Sequence, residues 1–264
     1  MKVYQLANNI NNTIKSSKDI SELVSLVRET VAEAVVDQVF IRECVDYTLR
    51  NVDNFMITGN YSPLYVDSKN NWRMALFLWN PKSENEPHQH NTWSVSGVVH
   101  NQLEVKLFDK KDGNVIEKSV LHAQEGQTGY LIPPCIHALR NPSEKNFTVT
   151  LHVFCDSELI EQRNYDTIWF GENDPRINPN PKSRVVRDLM SCLLLIGKLA
   201  TAIQFPLLEK VFFLGNVSVK LAVYKRMVVL DLNNSKSFGI QLENLLTGLD
   251  KVRFNQTNSR LFGA

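Results

Sequence analysis

Cysteine is scarce in this sequence. Cys44, Cys135, Cys155 and Cys192 stand far apart and form no CxxC pair, which argues against a disulfide framework or a paired-thiol metal or redox motif. The first residues, MKVYQLANNINNTIKSS, lack an apolar core segment and a cleavage site. No secretory signal is therefore expected, and reduced thiols in a cytoplasmic protein are the simplest reading. Neither sign of charge dominates, since 29 Lys+Arg against 28 Asp+Glu leave a formal net charge of +1, and no nucleic-acid partner is expected. Long apolar runs are scarce too. Met190–Leu208 comes nearest, but Lys198 and Gln204 interrupt it. A central lysine costs a spanning helix roughly 2.5–3.5 kcal/mol, so a buried or interface helix is expected rather than a membrane span. Internal repeats and low-complexity tracts are absent.

What is present suits an ordinary globular protein. Of 264 residues 43% are hydrophobic and 22% charged, enough for a sizeable core without covalent staples. The charge is unevenly spread: residues 182–264 hold 12 Lys+Arg against 5 Asp+Glu, leaving the preceding part net acidic. Such halves suit docking within a chain or in a homo-oligomer built through the C-terminal extension; an acidic partner or a membrane surface is the alternative use of a basic tail.

Periodicity divides the chain in three: an N-terminal helical segment over 1–58, a strand-rich core over 59–170, and a linker with a mostly helical extension over 171–264. Residues 19–50 read as one helix, opened by Asp19 and Glu22 in capping-box spacing and carried by Leu23, Leu26, Val27, Val31, Ala34 and Val35. Beyond Tyr61 short strands take over. Trp72–Trp79 is apolar apart from Arg73, Leu103, Val105 and Leu107 alternate with polar neighbours, Asp109–Gly113 reads as a hairpin turn, and Phe147–Phe154 alternates again. This texture predicts a closed all-β barrel or a jelly roll. Gly171–Pro181 reads as a linker. Val185–Leu214 reads as helix with a break at Pro206, and Val217–Leu232 as either helix or strand.

The chemistry concentrates in Pro87-His88-Gln89-His90-Asn91-Thr92-Trp93. On a strand, residues i and i+2 share a face, so His88 and His90 converge on one point. Imidazole suits iron, zinc, copper and nickel. His137, 47 residues after His90 in Leu131-Ile-Pro-Pro-Cys-Ile-His137-Ala-Leu-Arg-Asn141, is placed to add a third ligand from another strand.

These two segments resemble the paired motifs of the cupin superfamily, an HxH followed by a distant His with an Asn four residues on, here Asn141. The carboxylate that often follows the HxH is replaced by Ser94 and Val95, so the site resembles a neutral three-histidine type. The stretches WNP…HQHNTW, VSGVV, IPPCIHALRN and TVTLHVF together resemble the thiol dioxygenases, of the cysteine and mercaptopropionate dioxygenase kind, over roughly residues 60–155. The resemblance implies an all-β cupin jelly-roll barrel holding Fe(II) on His88, His90 and His137. It also implies a small-molecule thiol and O2 as substrates.

The resemblance implies further site residues, with departures. The family's Ser-x-His-x-Tyr line becomes Thr150, His152 and Phe154, keeping a hydroxyl and an imidazole while losing the phenol. The family's carboxylate-clamping arginine, expected in a Tyr-x-Arg context, is matched by Tyr61-Ser62-Pro63, and proline cannot form a bidentate contact. Arg73 or Arg140 is the candidate replacement. Phe154, Trp93, Tyr61 and Arg73 are thus the expected substrate-pocket residues, and His152 with Thr150 the expected catalytic pair. Trp79 and Trp93 read most simply as core or pocket-wall aromatics, Cys135 as a structural thiol, and His100 and His122 as surface residues. Two other functions stay open: a different oxidation at a three-histidine iron in specialised biosynthesis, or a non-catalytic metal- or ligand-binding module whose tail binds a partner.

Overall fold

The computed structural model describes residues 1–58, 63–155, 167–170 and 181–262, with side chains from 53 to 58 and 181 to 183 left aside. The chain forms two compact units, Met1–Leu195 and Ile196–Ala264.

The first unit opens with three helices, α1 (Val3–Ser16), α2 (Ile20–Val36) and α3 (Gln38–Thr58). Asp19 caps α2 by accepting the Glu22 amide at 2.9 Å. A single helix over 19–50 is corrected by Asp37, whose carboxylate takes the Phe40 amide at 2.8 Å and starts α3 as a separate helix. The preceding α1, inside the expected helical segment but ahead of the helix delimited there, buries Leu6, Ala7 and Ile10.

Ten strands follow: β1 (Tyr65–Asp67), β2 (Trp72–Trp79), β3 (His88–His90), β4 (Ser94–His100), β5 (Gln102–Lys111), β6 (Asn114–Gln124), β7 (Thr128–Leu131), β8 (Ile136–Arg140), β9 (Thr148–Cys155) and β10 (Thr167–Trp169). They form two five-stranded antiparallel sheets, ordered β1-β2-β9-β4-β7 and β10-β3-β8-β5-β6. The pairs β5:β6, β4:β7, β3:β8 and β2:β9 are nested, as in a long hairpin folded over onto itself, which is jelly-roll topology. The closed barrel is corrected to an open two-sheet sandwich. Among the described residues no ladder joins the two sheets, and three of the four edge strands, β1, β7 and β10, are only three or four residues long.

Strand alternation gives the first sheet two faces. Trp72 and Met74 of β2, Val95 of β4, and Val149, Leu151 and Val153 of β9 are buried on one of them. α2 packs on that face: a Cβ at Gly97 of β4 would lie 2.8 Å from Val35 and 3.2 Å from Val31. From α1, Asn11 accepts the Trp72 indole N–H at 2.7 Å. The opposite face, with Arg73, Phe77 and Trp79, Ser94 and Ser96, and Thr150, His152 and Phe154, looks into a cavity of about 970 Å³. The helix α4 (Pro181–Ile196) adds Arg184 and Arg187 to its wall.

The second unit is helical: α5 (Thr201–Leu214), α6 (Val217–Leu230), α7 (Leu232–Leu245) and α8 (Gly248–Phe262). The break expected at Pro206 lies earlier, between Ile196 and Thr201, and Pro206 is accommodated inside α5. The ambiguous Val217–Leu232 stretch is helix over Val217–Leu230. Asn216 caps it through the Val219 amide at 3.1 Å, and Val219, Val223 and Met227 recur every four residues as its buried stripe. Among the described residues no helix is long and apolar enough to cross a membrane.

Candidate metal centre

His88 and His90 lie on β3 and share a face through the two-residue period. Antiparallel pairing sets His88 opposite His137 of β8. The three rings come together with centroids 4.2 Å (His88–His137), 5.0 Å (His88–His90) and 5.3 Å (His90–His137) apart. Their ligand atoms lie within 4.8 Å of one another, so the group has the reach to hold one metal ion.

The donor set fits that use. His88 Nδ1 sits 3.0 Å from the Glu86 carbonyl oxygen, and His137 Nδ1 3.2 Å from that of Cys135. A carbonyl only accepts, so each Nδ1 carries the hydrogen and Nε2 is the nitrogen with a lone pair for a metal. His90 Nδ1 meets Thr167 Oγ1 at 3.1 Å. Burial pushes the pKa of His88 below the ordinary histidine value. For His137 burial, then the neighbouring His88 and His90, push it well below. Neutral imidazole, the ligating form, is therefore favoured without metal.

Behind the triad, His152 Nε2 lies 2.8 Å from Thr150 Oγ1 and its Nδ1 2.8 Å from Ser96 Oγ. Thr150 also accepts the Trp79 indole N–H at 2.9 Å. Burial, followed by the neighbouring His90 and His88, takes the His152 pKa down to about 3, so the ring is neutral near pH 7. Phe154 stacks on His152 at 5.5 Å and lies 5.8 Å from His90. The Arg73 guanidinium stands 5.3 Å over the Phe154 ring.

Other expected residues fall elsewhere. Trp93 is buried and is not among the cavity-lining residues. Tyr61 lies outside the described residues. Pro63 uses its carbonyl to accept the Tyr47 hydroxyl at 3.0 Å. Arg140 pairs with Glu104 at 3.3 Å and Glu84 at 3.8 Å, which occupies its charge. Asn141, wholly buried, donates to the carbonyls of Trp79, Asn80 and Asn146 and so ties the loop after β2 to the end of β8. His122 is exposed as expected, whereas His100 is half-buried beside Glu125. Cys135 serves the site through its backbone, and burial raises its thiol pKa.

Sequence reasoning missed Trp169, stacked on His88 at 4.5 Å, and Thr167 beneath His90. Both come from β10, and register alone brings them there: Trp169 opposes His88 and Thr167 opposes His90. The spaced Thr-Ile-Trp triplet was the available signal. Ser96 was missed likewise; Trp79 lines the cavity as a pocket-wall aromatic, with its indole hydrogen bond to Thr150 unforeseen.

No protein-family model matches the chain, and no curated protein matches it. Its structural neighbours include cupins. A cupin superfamily protein from Desulfitobacterium hafniense is 10% identical over 36% of this chain and 73% of its own, with a TM-score of 0.29. A cupin 2 conserved barrel domain protein from Salinispora arenicola is 17% identical over 36% of this chain and 74% of its own, with a TM-score of 0.29. A Lactobacillus farciminis oxalate decarboxylase in a formate complex is 19% identical over 40% of this chain, which spans 30% of the decarboxylase, with a TM-score of 0.31. The fold is therefore read from the strand pairing described above.

Proposed function

We propose that the chain is an Fe(II)-dependent oxygenase of the thiol dioxygenase type, converting a thiol and O2 to a sulfinate. The observation that carries this reading is the convergence of His88, His90 and His137, each engaged at Nδ1, on one wall of the cavity. Three imidazoles add no charge, so a bound Fe(II) would keep its full positive charge and favour an anionic thiolate. Bound there, the iron supplies the redox chemistry that adds both oxygen atoms of O2 to sulfur, RS⁻ + O2 giving RSO2⁻. The protein's own part is to hold the reactants together in the cavity.

The cavity's other residues shape the choice of thiol. Phe154 sets an apolar ring where the resembled enzymes have a phenol, and Arg73 brings a cation over that ring. A cavity of about 970 Å³ is large for a free amino-acid thiol. The substrate is therefore a bulkier thiol, or one borne on a larger scaffold. Four free cysteines suit the cytoplasmic location that belongs to this reading.

Oxygen consumption by iron-loaded protein with a panel of thiols, sulfinate followed by mass spectrometry, tests the proposal. Uptake matched one-to-one by sulfinate is the expected result. Iron-replete protein inert to every thiol would transfer the site to another oxidation or to ligand binding.

A further inference from the structure

Trp79, Thr150, His152 and Ser96 form one hydrogen-bonded chain, and its direction is set by the member with no choice. An indole nitrogen donates and cannot accept, so Trp79 Nε1 gives its hydrogen to Thr150 Oγ1, 2.9 Å away. Thr150 is wholly buried, and its second partner is His152 Nε2 at 2.8 Å. If Nε2 carried the ring hydrogen, Thr150 would accept twice and its own hydrogen would be buried with no acceptor among the described residues. Leaving a buried donor unmade is the costlier arrangement. Thr150 therefore donates to Nε2, and the one hydrogen of the neutral ring sits on Nδ1. Nδ1 donates in turn to Ser96 Oγ at 2.8 Å. The Ser96 hydrogen then remains, and Ser96 lines the cavity.

We infer that Ser96 is the hydrogen-bond donor of this site: its hydroxyl meets an acceptor atom of the ligand bound in the cavity, and Trp79 sets that polarity through Thr150 and His152. The ligand atom that takes this hydrogen is accordingly an acceptor, an anion or a carbonyl or hydroxyl oxygen. Ser96 thereby provides the donor that Phe154 lacks. The ligand's presence rests on the function proposed above; the direction of the chain holds without metal or substrate.

Long-range ¹H–¹⁵N spectra of metal-free protein labelled at histidine read the direction itself. His152 is expected as the Nδ1–H tautomer; finding Nε2–H overturns the inference. Trp79→Phe, which removes the obligatory donor, should let Nε2–H appear, and an unchanged tautomer would refute the role of Trp79. Azide binding to the Co(II)-loaded protein, followed by visible absorption, probes the cavity end. Ser96→Ala should weaken azide about tenfold, the scale of one charge-assisted hydrogen bond, while Ser96→Thr keeps near-native affinity. Equal affinity in Ser96→Ala would show that the hydroxyl does not face the bound anion. Failure to take up Co(II) would count against the metal reading, with the tautomer measurement still deciding the chain's direction.

Discussion

Each candidate ligand has its Nδ1 engaged, two by backbone and one by Thr167, so loss of one ring removes a ligand without loosening the other two. His90→Ala should leave the protein folded and without iron by elemental analysis, because two imidazoles rarely hold Fe(II) against buffer. His122→Ala, at an exposed position, should retain the wild-type iron content. Stoichiometric iron in His90→Ala would sink the triad. Phe154 touches both His90 and His152 and lines the cavity. Phe154→Tyr should therefore stay iron-replete and gain activity toward small thiols. If the new hydroxyl instead lands in packed core, it costs about 1–3 kcal/mol. A lower melting temperature with unchanged turnover would then remove Phe154 from the site.

At the scale of elements, the approach of α2 to β4 depends on the absent side chain of Gly97. A methyl there would meet Val35 at 2.8 Å and Thr128 at 3.0 Å. Gly97→Ala should cost about 1–3 kcal/mol through overpacking, seen as a lower denaturation midpoint, and Val35→Ala in the same chain should recover part of it. An unchanged midpoint would mean that the helix has slack. The same scale explains what the sequence made legible. His88, His90, Thr150 and His152 were readable because each pair spans two residues of one strand, a spacing the eye can follow. Thr167, Trp169 and Ser96 join them across strands, where register decides the neighbour and no local pattern records it. The α2–α3 break was hidden because apolar spacing runs on either side of Asp37, and α6 was hidden because valines suit a strand until a cap and a buried stripe select the helix.

For the molecule as a whole, burying neutral histidines makes stability depend on acidity. His152 has a pKa of about 3 in the fold against about 6.5 for an unperturbed histidine. Below pH 6.5 the unfolded chain binds a proton that the folded one refuses, so stability is intact above 6.5 and falls as pH drops toward 3. His88 and His137 are shifted in the same direction. The full His152 contribution is roughly 5 kcal/mol by linkage. Urea midpoints of metal-free protein should therefore fall from pH 7 to pH 4, and His152→Gln should flatten the slope; parallel slopes would contradict the neutral buried ring. The nested strand order also ranks the pairings by the length of chain they close. β5 and β6 meet across a short turn, β4 and β7 enclose them, and β3 and β8, which set His88 opposite His137, enclose both. Each outer pair closes a longer loop than the one inside it. Pairing of β3 with β8, inside the outermost pair β2:β9, is what sets His88 opposite His137, so metal capture reports that this non-local pairing is in place.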